Sequence, residues 1–270
     1  AGSSSDVNNY ICFGSLEKEC PTEYLYRIIG VFKNNELKQY YLKIIKSDFA
    51  NSDLIGNDEN FAVNANPSSS YLGNQSILSA YKWNFKNGEP DNSGNVSNDW
   101  NESLLNTKNL NINFLTSIDA IWSNKIAVVK WNIGGNTRNN LLYTNVKSSY
   151  QNEIISPTTS DIFTSKIGLM YVSDYGYAAS PDYWTYKYND TDLADYKATI
   201  HENWMYIGDY EWTITKFSDY NNSVAVVSSS GNIDLSYCDN IMYLRPTFYL
   251  DYDITYISGD GTSQNPIRIN

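Results

Sequence analysis

Short apolar runs separated by polar spacers dominate the last third of the chain. Four runs are rich in aromatic and β-branched residues: Trp204–Ile207, Trp212–Thr215, Val224–Val227 and Leu244–Leu250. Such residues suit the half-buried surface of a sheet, whereas Asn, Asp and Ser favour turns and exposed loops. The alternation predicts a small antiparallel C-terminal sheet with polar loops.

The earlier part of the chain mixes strand and helix patterns. Tyr24–Phe32 and Gln39–Lys46 predict two strands joined by a hairpin. Apolar residues at 3–4 spacing predict short helices over Trp100–Leu105 and Leu110–Ile118, and Ile121–Trp131 reads as a helix followed by a strand. Early helices followed by a late sheet with long loops predict the α+β class.

Four further segments carry weaker patterns. We expect a short helix over Ser76–Tyr81, a strand over Lys166–Ser173, an aromatic loop over Asp174–Asp195 and a closing strand over Ile267–Ile269. The whole chain, residues 1–270, is predicted to be a single domain. Within it, residues 1–9 are predicted to be a linker or a tag remnant.

Composition points towards recognition. The chain contains 24 tyrosines, and tyrosine offers a large contact area with a polar tip, although an AT-rich genome would also enrich it. The net charge of −11 argues against nucleic acid as a partner. No run of about 18 apolar residues occurs. We therefore expect membrane contact only through an N-terminal segment absent from this sequence.

The three cysteines allow several arrangements. Cys12 and Cys20 are close enough to form a disulfide beside the first strand, which would leave Cys238 unpaired in a polar loop. The alternative is free thiols in a reducing compartment. Zinc binding is a further possibility in principle, but the spacing of these cysteines and of His201 matches no compact zinc motif. We expect the disulfide, and no metal or cofactor.

Eight segments together resemble one family of bacterial surface proteins. They are Tyr10–Gly14, Tyr26–Phe32, Lys43–Asp48, Lys166–Ala178, Asn203–Tyr206, Glu211–Thr215, Leu244–Leu250 and Ile257–Thr262. The family is found in gut Firmicutes and Mollicutes-like bacteria and often carries a prepilin-type N-terminal helix, which is absent here. Its C-terminal part resembles the C-type-lectin fold of formylglycine-generating enzymes, a fold shared by the variable proteins of diversity-generating retroelements.

The resemblance implies a C-type-lectin-like scaffold that displays a changeable ligand-binding face. In variable proteins the changed positions precede the last core strands, which corresponds here to residues 204–250. The implied ligand-binding residues are Tyr206, Asp209, Tyr210, Lys216, Phe217, Asp219, Tyr220, Asn221, Asn222, Val224, Val226, Ser228, Asn232, Asp234, Ser236, Tyr237, Cys238, Asn240 and Met242. Tyr206, Tyr210, Tyr220 and Tyr237 are the expected anchors.

Catalytic arrangements find little support in the sequence. His201 is the one histidine and has no nucleophile motif near it. Carboxylate pairs such as Glu202 with Glu211, or Asp174 with Asp182, occur by chance in so acidic a chain. The reactive cysteine pair of formylglycine-generating enzymes is also missing. We expect a protein that is not an enzyme.

A calcium-dependent lectin is one alternative. Glu89–Asp91 resembles the Glu-Pro-Asn sugar-binding triplet of such lectins, and Asn98–Trp100 contains the residues of their Trp-Asn-Asp motif in another order. Trp204 and Trp212 are expected in the core, although either could serve as a stacking platform for sugar. Arg245 is expected to pair with an acidic residue.

The sequence thus predicts an extracellular ligand-binding protein of the bacterial cell surface. Its partner would be a protein or glycan on another cell or on a phage, with no nucleic acid involved. The other alternative is a minor pilin or structural surface subunit.

Overall fold

A computed structural model describes residues 7–34, 38–57, 63–74, 78–85, 96–134, 136–157, 161–188 and 202–270. These residues form several small antiparallel sheets with few helices. The prediction of a fold that mixes helices with antiparallel sheets is confirmed. The strands are β1 (Tyr10–Cys12), β2 (Leu25–Asn34), β3 (Gln39–Lys46), β4 (Val63–Ala65), β5 (Leu78–Lys82), β6 (Val129–Asn132), β7 (Ile162–Ser165), β8 (Ile167–Gly168), β9 (Glu211–Lys216), β10 (Ser223–Val227), β11 (Ile233–Tyr237), β12 (Ile241–Met242), β13 (Thr247–Leu250), β14 (Tyr256–Ser258) and β15 (Arg268–Ile269).

The helices are short. They are α1 (Ser52–Ile55), a π-helix (Leu105–Phe114) continued by α2 (Leu115–Ser117), α3 (Ala120–Ser123), α4 (Arg138–Leu142), α5 (Val146–Tyr150) continued by a π-helical turn (Gln151–Ile155), and α6 (Val172–Tyr177). Short 3₁₀ turns cover Thr22–Tyr24 and Pro181–Tyr183. The predicted helices over 100–105 and 110–118 are thus one continuous helical segment from residue 105 to residue 117.

The largest sheet among the described residues has the order β1-β2-β3-β13-β8. β2 and β3 pair as the predicted hairpin, and β13 pairs with both β3 and β8. The two ends of the described chain meet beside this sheet. The N–H of Cys12 donates to the carbonyl of Ile267 at 3.0 Å, and the N–H of Ile267 donates to that of Tyr10 at 2.9 Å.

The predicted C-terminal sheet is present as β11-β10-β9, with β10 in the middle. Trp204–Ile207 was wrongly predicted as a strand and forms turns instead. In Leu244–Leu250 the strand begins only at Thr247. Pro246, the residue just before it, has no N–H to donate to a neighbouring strand.

Two other predicted elements are wrong. Leu78–Lys82 is a strand rather than part of a helix, because β5 is buried on both faces between β4 and β12. Lys166–Ser173 contributes only the short β8, and helix α6 begins at Val172. The Asp174 carboxylate caps this helix by accepting the N–H of Tyr171 at 2.8 Å.

Buried ion pairs cross the interior. Arg245 forms a two-pronged pair with Glu211, with Nε–Oε1 and Nη2–Oε2 distances of 2.7 Å, and Nη2 also donates to the Met205 carbonyl at 2.6 Å. The predicted structural role of Arg245 is confirmed. Trp204 and Trp212 are also buried, as predicted for core residues.

The N-terminal segment is tied down covalently and by hydrogen bonds. The predicted disulfide between Cys12 and Cys20 is present, and Cys238 is free and buried rather than in an exposed loop. The assignment of residues 1–9 to a linker is wrong for Asn9. Its side chain accepts from Arg27 Nε and donates to the Ile28 carbonyl, both at 2.8 Å.

Candidate ligand-binding surface

The predicted site residues divide into three groups by exposure. Exposed are Tyr210, Asp219, Tyr220, Asn221, Asp234 and Tyr237. Partly exposed are Lys216, Asn222, Asn232, Asn240 and Met242. Buried are Tyr206, Asp209, Phe217, Val224, Val226, Ser228, Ser236 and Cys238. Only the first two groups, eleven residues, can offer side chains to a partner.

The prediction is therefore wrong for the buried group, for a clear packing reason. β10 is the middle strand of its sheet, and the residues on both its faces are buried, so Val224 and Val226 pack into the core. Phe217 packs in a second apolar cluster with Tyr206, whose hydroxyl donates to the Ser229 carbonyl. Cys238 belongs to the core that also contains Val224.

The buried polar members of this group are engaged inside the fold. Asp209 accepts the N–H of Ser68 at 2.7 Å and that of Tyr210 at 2.8 Å. The Ser228 hydroxyl accepts the N–H of Asn232 at 3.2 Å, which closes the turn between β10 and β11. The Ser236 hydroxyl accepts from Asn240 Nδ2 at 2.8 Å. These contacts fix turns and leave the side chains unavailable to a ligand.

An open concavity of about 640 Å³ gathers part of the exposed group. We name it the 216–222 cavity, after the loop that forms it. Its lining residues are Asn98, Asp161, Lys216, Phe217, Ser218, Asp219, Tyr220, Asn221, Asn222 and Tyr237. Tyr220 and Tyr237 are 40% and 47% exposed, so both rings offer contact area to a partner.

A buried asparagine, Asn98, forms hydrogen bonds to the backbone of the 216–222 loop. Asn98 Nδ2 lies 2.6 Å from the Tyr220 carbonyl, 2.9 Å from that of Ser223 and 3.2 Å from that of Phe217. The backbone N–H of Asn98 donates to the Asn221 carbonyl at 2.7 Å. One residue thus organises four carbonyls of the loop and of the strand that follows it, and sequence reasoning had assigned it no such role.

The rim of the cavity contains charged groups. Lys216 Nζ lies 2.5 Å from Asp161 Oδ2, a residue that the sequence did not indicate. Asp219 Oδ1 accepts the N–H of Arg138 at 2.8 Å and so joins the loop to the first turn of α4. The N–H of Ser218 donates to the Asn136 carbonyl at 2.9 Å. Hydrogen bonds thus connect the loop to Asn98 and also to the segment that contains Asn136 and Arg138.

Exposed predicted residues outside this cavity are spread over other surfaces. Tyr210 precedes β9, and Asp234 lies on β11, where its carboxylate accepts the N–H of Leu235 at 2.7 Å. Neither residue lines the 216–222 cavity. The structure thus brings together Tyr220 and Tyr237 of the four expected anchors, and leaves Tyr206 and Tyr210 apart from them.

Two carboxylates of the candidate catalytic pairs, Glu211 and Asp174, are engaged in buried ion pairs. Glu211 is used by Arg245, and burial raises the pKa of its carboxyl group against the opposing effect of that cation. Asp174 is paired with Lys43, whereas Asp182 is exposed on a 3₁₀ turn. His201 and Glu89–Asp91 lie outside the described residues. Asn98, of the possible calcium motif, directs its amide nitrogen to the 216–222 loop.

Within the described parts of the chain, no group of three or more His, Cys, Asp or Glu residues is arranged to hold a metal ion. None of the helices there has the length and apolar character needed to cross a membrane. No protein-family model, curated protein or solved structure matches the chain.

Proposed function

We propose that this protein is a non-catalytic ligand-binding protein with a C-type-lectin-like fold, displayed on a bacterial cell surface. Its ligand would be a protein or glycan of another cell or of a phage, bound at the 216–222 cavity. The observation that carries the proposal is a tyrosine-bearing concavity whose loop backbone is held in place by Asn98.

The physical argument concerns the entropy of binding. A loop that must become ordered on binding loses affinity, whereas a loop already fixed does not. Tyrosine adds contact area with few rotatable bonds, and asparagine adds adaptable hydrogen bonds, as in antibody binding sites. The 216–222 loop combines these residue types with a backbone that hydrogen bonds to Asn98 and Asn136 secure.

The architecture supports the proposed fold. The first and last described strands lie side by side, the helical segment that contains Phe114 packs against Phe248 of the largest sheet, and the candidate site belongs to a small C-terminal sheet. The disulfide between Cys12 and Cys20 supports a location outside the reducing cytoplasm.

Binding of labelled protein to a panel of intact bacterial cells and phage particles, read by flow cytometry, tests the function. We expect binding to at least one member of the panel, and loss of that binding in a double variant, Tyr220→Ser with Tyr237→Ser. Tyr252→Ser is the matched control, because Tyr252 is exposed and lies outside the cavity. Equal losses in control and double variant would refute the proposed site.

The proposed variability has its own test in DNA. A nearby near-duplicate of codons 204–245 that differs at adenines is the expected signature. The substitutions should fall on the eleven exposed or partly exposed positions and spare Val224, Val226 and Phe217 in the core. Variation spread evenly over exposed and buried positions would contradict a changeable face on a constant scaffold.

A further inference from the structure

A second cavity, of about 260 Å³, lies between β2, α5 and α6 and shares no lining residue with the 216–222 cavity. We name it the α6 cavity. Its walls include the rings of Phe32, Tyr150, Tyr177 and Trp204. The Tyr150 and Tyr177 rings stand at 83° to each other with centroids 5.6 Å apart, so they form two adjoining walls.

Two polar side chains line the same cavity, and both are buried. Asp174 is 6% exposed, and both of the hydrogen bonds it accepts from described residues, from Lys43 Nζ and the N–H of Tyr171, end on Oδ2. Its other oxygen, Oδ1, is left for an occupant of the cavity. Ser173 is 1% exposed, and its hydroxyl acts on the Glu153 carboxyl group as a hydrogen-bond donor that partly offsets the rise in the pKa of Glu153.

The oxygen of Asp174 that is already paired, Oδ2, shows that this environment stabilises an ammonium group. The Lys43 ammonium lies 2.5 Å from Oδ2, with the rings of Tyr171, Tyr249, Trp131 and Phe32 at 4.4, 5.0, 5.2 and 5.6 Å from its nitrogen. Ring faces and a carboxylate together stabilise an ammonium ion. The α6 cavity also combines aromatic rings with a carboxylate oxygen, here Asp174 Oδ1. The Phe32 ring lies near the Lys43 ammonium and also lines the cavity.

Electrostatics near the cavity also favour a cation. Glu153, Asp174 and Lys43 interact electrostatically in the interior, and burial raises the pKa of Glu153 to about 7. Above that pH, Glu153 adds a negative charge close to the cavity. Burial also raises the pKa of Tyr150 and of Tyr177, which keeps both phenols neutral near pH 8.

We propose that the α6 cavity binds a small organic ammonium ion, with its charged nitrogen against Asp174 Oδ1 and the aromatic faces. The volume fits this class. It lies just below the range of roughly 300–1,000 Å³ that is typical of pockets for drug-sized ligands. A compact cation is therefore a better match than a sugar chain or a peptide.

The test compares choline with its uncharged isostere 3,3-dimethyl-1-butanol, titrated calorimetrically into the intact protein at pH 8 and low salt. The two probes have nearly the same shape and differ in charge. We expect choline to bind at least about tenfold more tightly, because the rings and the carboxylate act on the charge. Equal binding of both probes, or no binding of choline up to about 50 mM, would overturn the proposal.

Variants then place the binding in the cavity. Tyr177→Leu removes one ring while keeping an apolar wall, and should weaken choline at least about threefold. Tyr220→Leu, in the other cavity, should leave choline binding unchanged. Asp174→Asn is unsuitable alone because it also breaks the pair with Lys43. A folded Tyr177→Leu protein that binds choline as tightly as the wild type would exclude this site.

Discussion

The buried carboxyl group of Glu153 should make the protein less stable as the pH rises from about 5 to about 8. Glu153 is buried, and its two oxygens accept hydrogen bonds from Thr215 Oγ1 at 2.5 Å and from the N–H of Ser173 at 2.9 Å. Burial nevertheless raises its pKa from 4.5 to about 7. The folded state therefore holds the proton more tightly than the unfolded state does.

The sign and size of the effect follow from proton linkage. Stabilisation by the protonated group is complete below pH 4.5 and is lost as the pH rises through about 7. A difference of roughly 2.5 pKa units corresponds to at most about 3 kcal/mol in the free energy of unfolding. For a chain of this size that is about 6 °C in Tm.

Glu153→Gln isolates this contribution from those of the other acidic residues. The free energy of unfolding is measured with guanidinium at several pH values. The difference between variant and wild type should change in favour of the variant by up to about 3 kcal/mol between pH 5 and pH 8. Glu102→Gln is the control, because Glu102 is exposed. If the Glu153→Gln and wild-type curves run parallel with pH, the carboxyl group is not protonated in the folded protein and the reasoning fails.

Three further changes test other parts of the structure by guanidinium unfolding. Asn98→Ala should cost about 2–4 kcal/mol, because it leaves buried carbonyls of the 216–222 loop unpaired, and an equal loss in an exposed Asn→Ala variant would contradict this. Arg245→Met should cost about 3–5 kcal/mol by leaving the Glu211 carboxylate buried alone, and a second change, Glu211→Leu, should recover part of that loss. Reduction, or Cys12→Ser with Cys20→Ser, should cost about 2.5 kcal/mol from loop entropy, and an unchanged unfolding midpoint would refute it.

Local patterns predicted the elements whose formation depends on neighbours in sequence. The hairpin of β2 and β3, the helix and strand over 121–131 and the sheet strands β9 and β10 all have short-range signals. α6 was missed because its first turn is fixed by Asp174, and this aspartate is held by Lys43, 131 residues away. No window of sequence contains both partners, so no periodicity could show the pair.

The candidate site was only partly predictable for a similar reason. Val224–Val227 is an unbroken apolar run, and such a run indicates a strand buried on both faces rather than one with an exposed side. That signal was available and argued against Val224 and Val226 as ligand contacts. Asn98 and Asp161 gave no such signal, because their roles arise only when distant segments meet at the 216–222 loop.

The hydrogen bonds that hold the 216–222 loop determine which of its side chains can be replaced. Asn98 contacts carbonyl groups of residues 217, 220, 221 and 223, and every residue type supplies a backbone carbonyl. Side chains at Tyr220, Asn221 and Asn222 can therefore be replaced without removing any of those hydrogen bonds. Asp219 differs, because its own carboxylate accepts the N–H of Arg138 at the start of α4. A loop anchored through its backbone can therefore carry different side chains at these three positions without losing the hydrogen bonds that hold it.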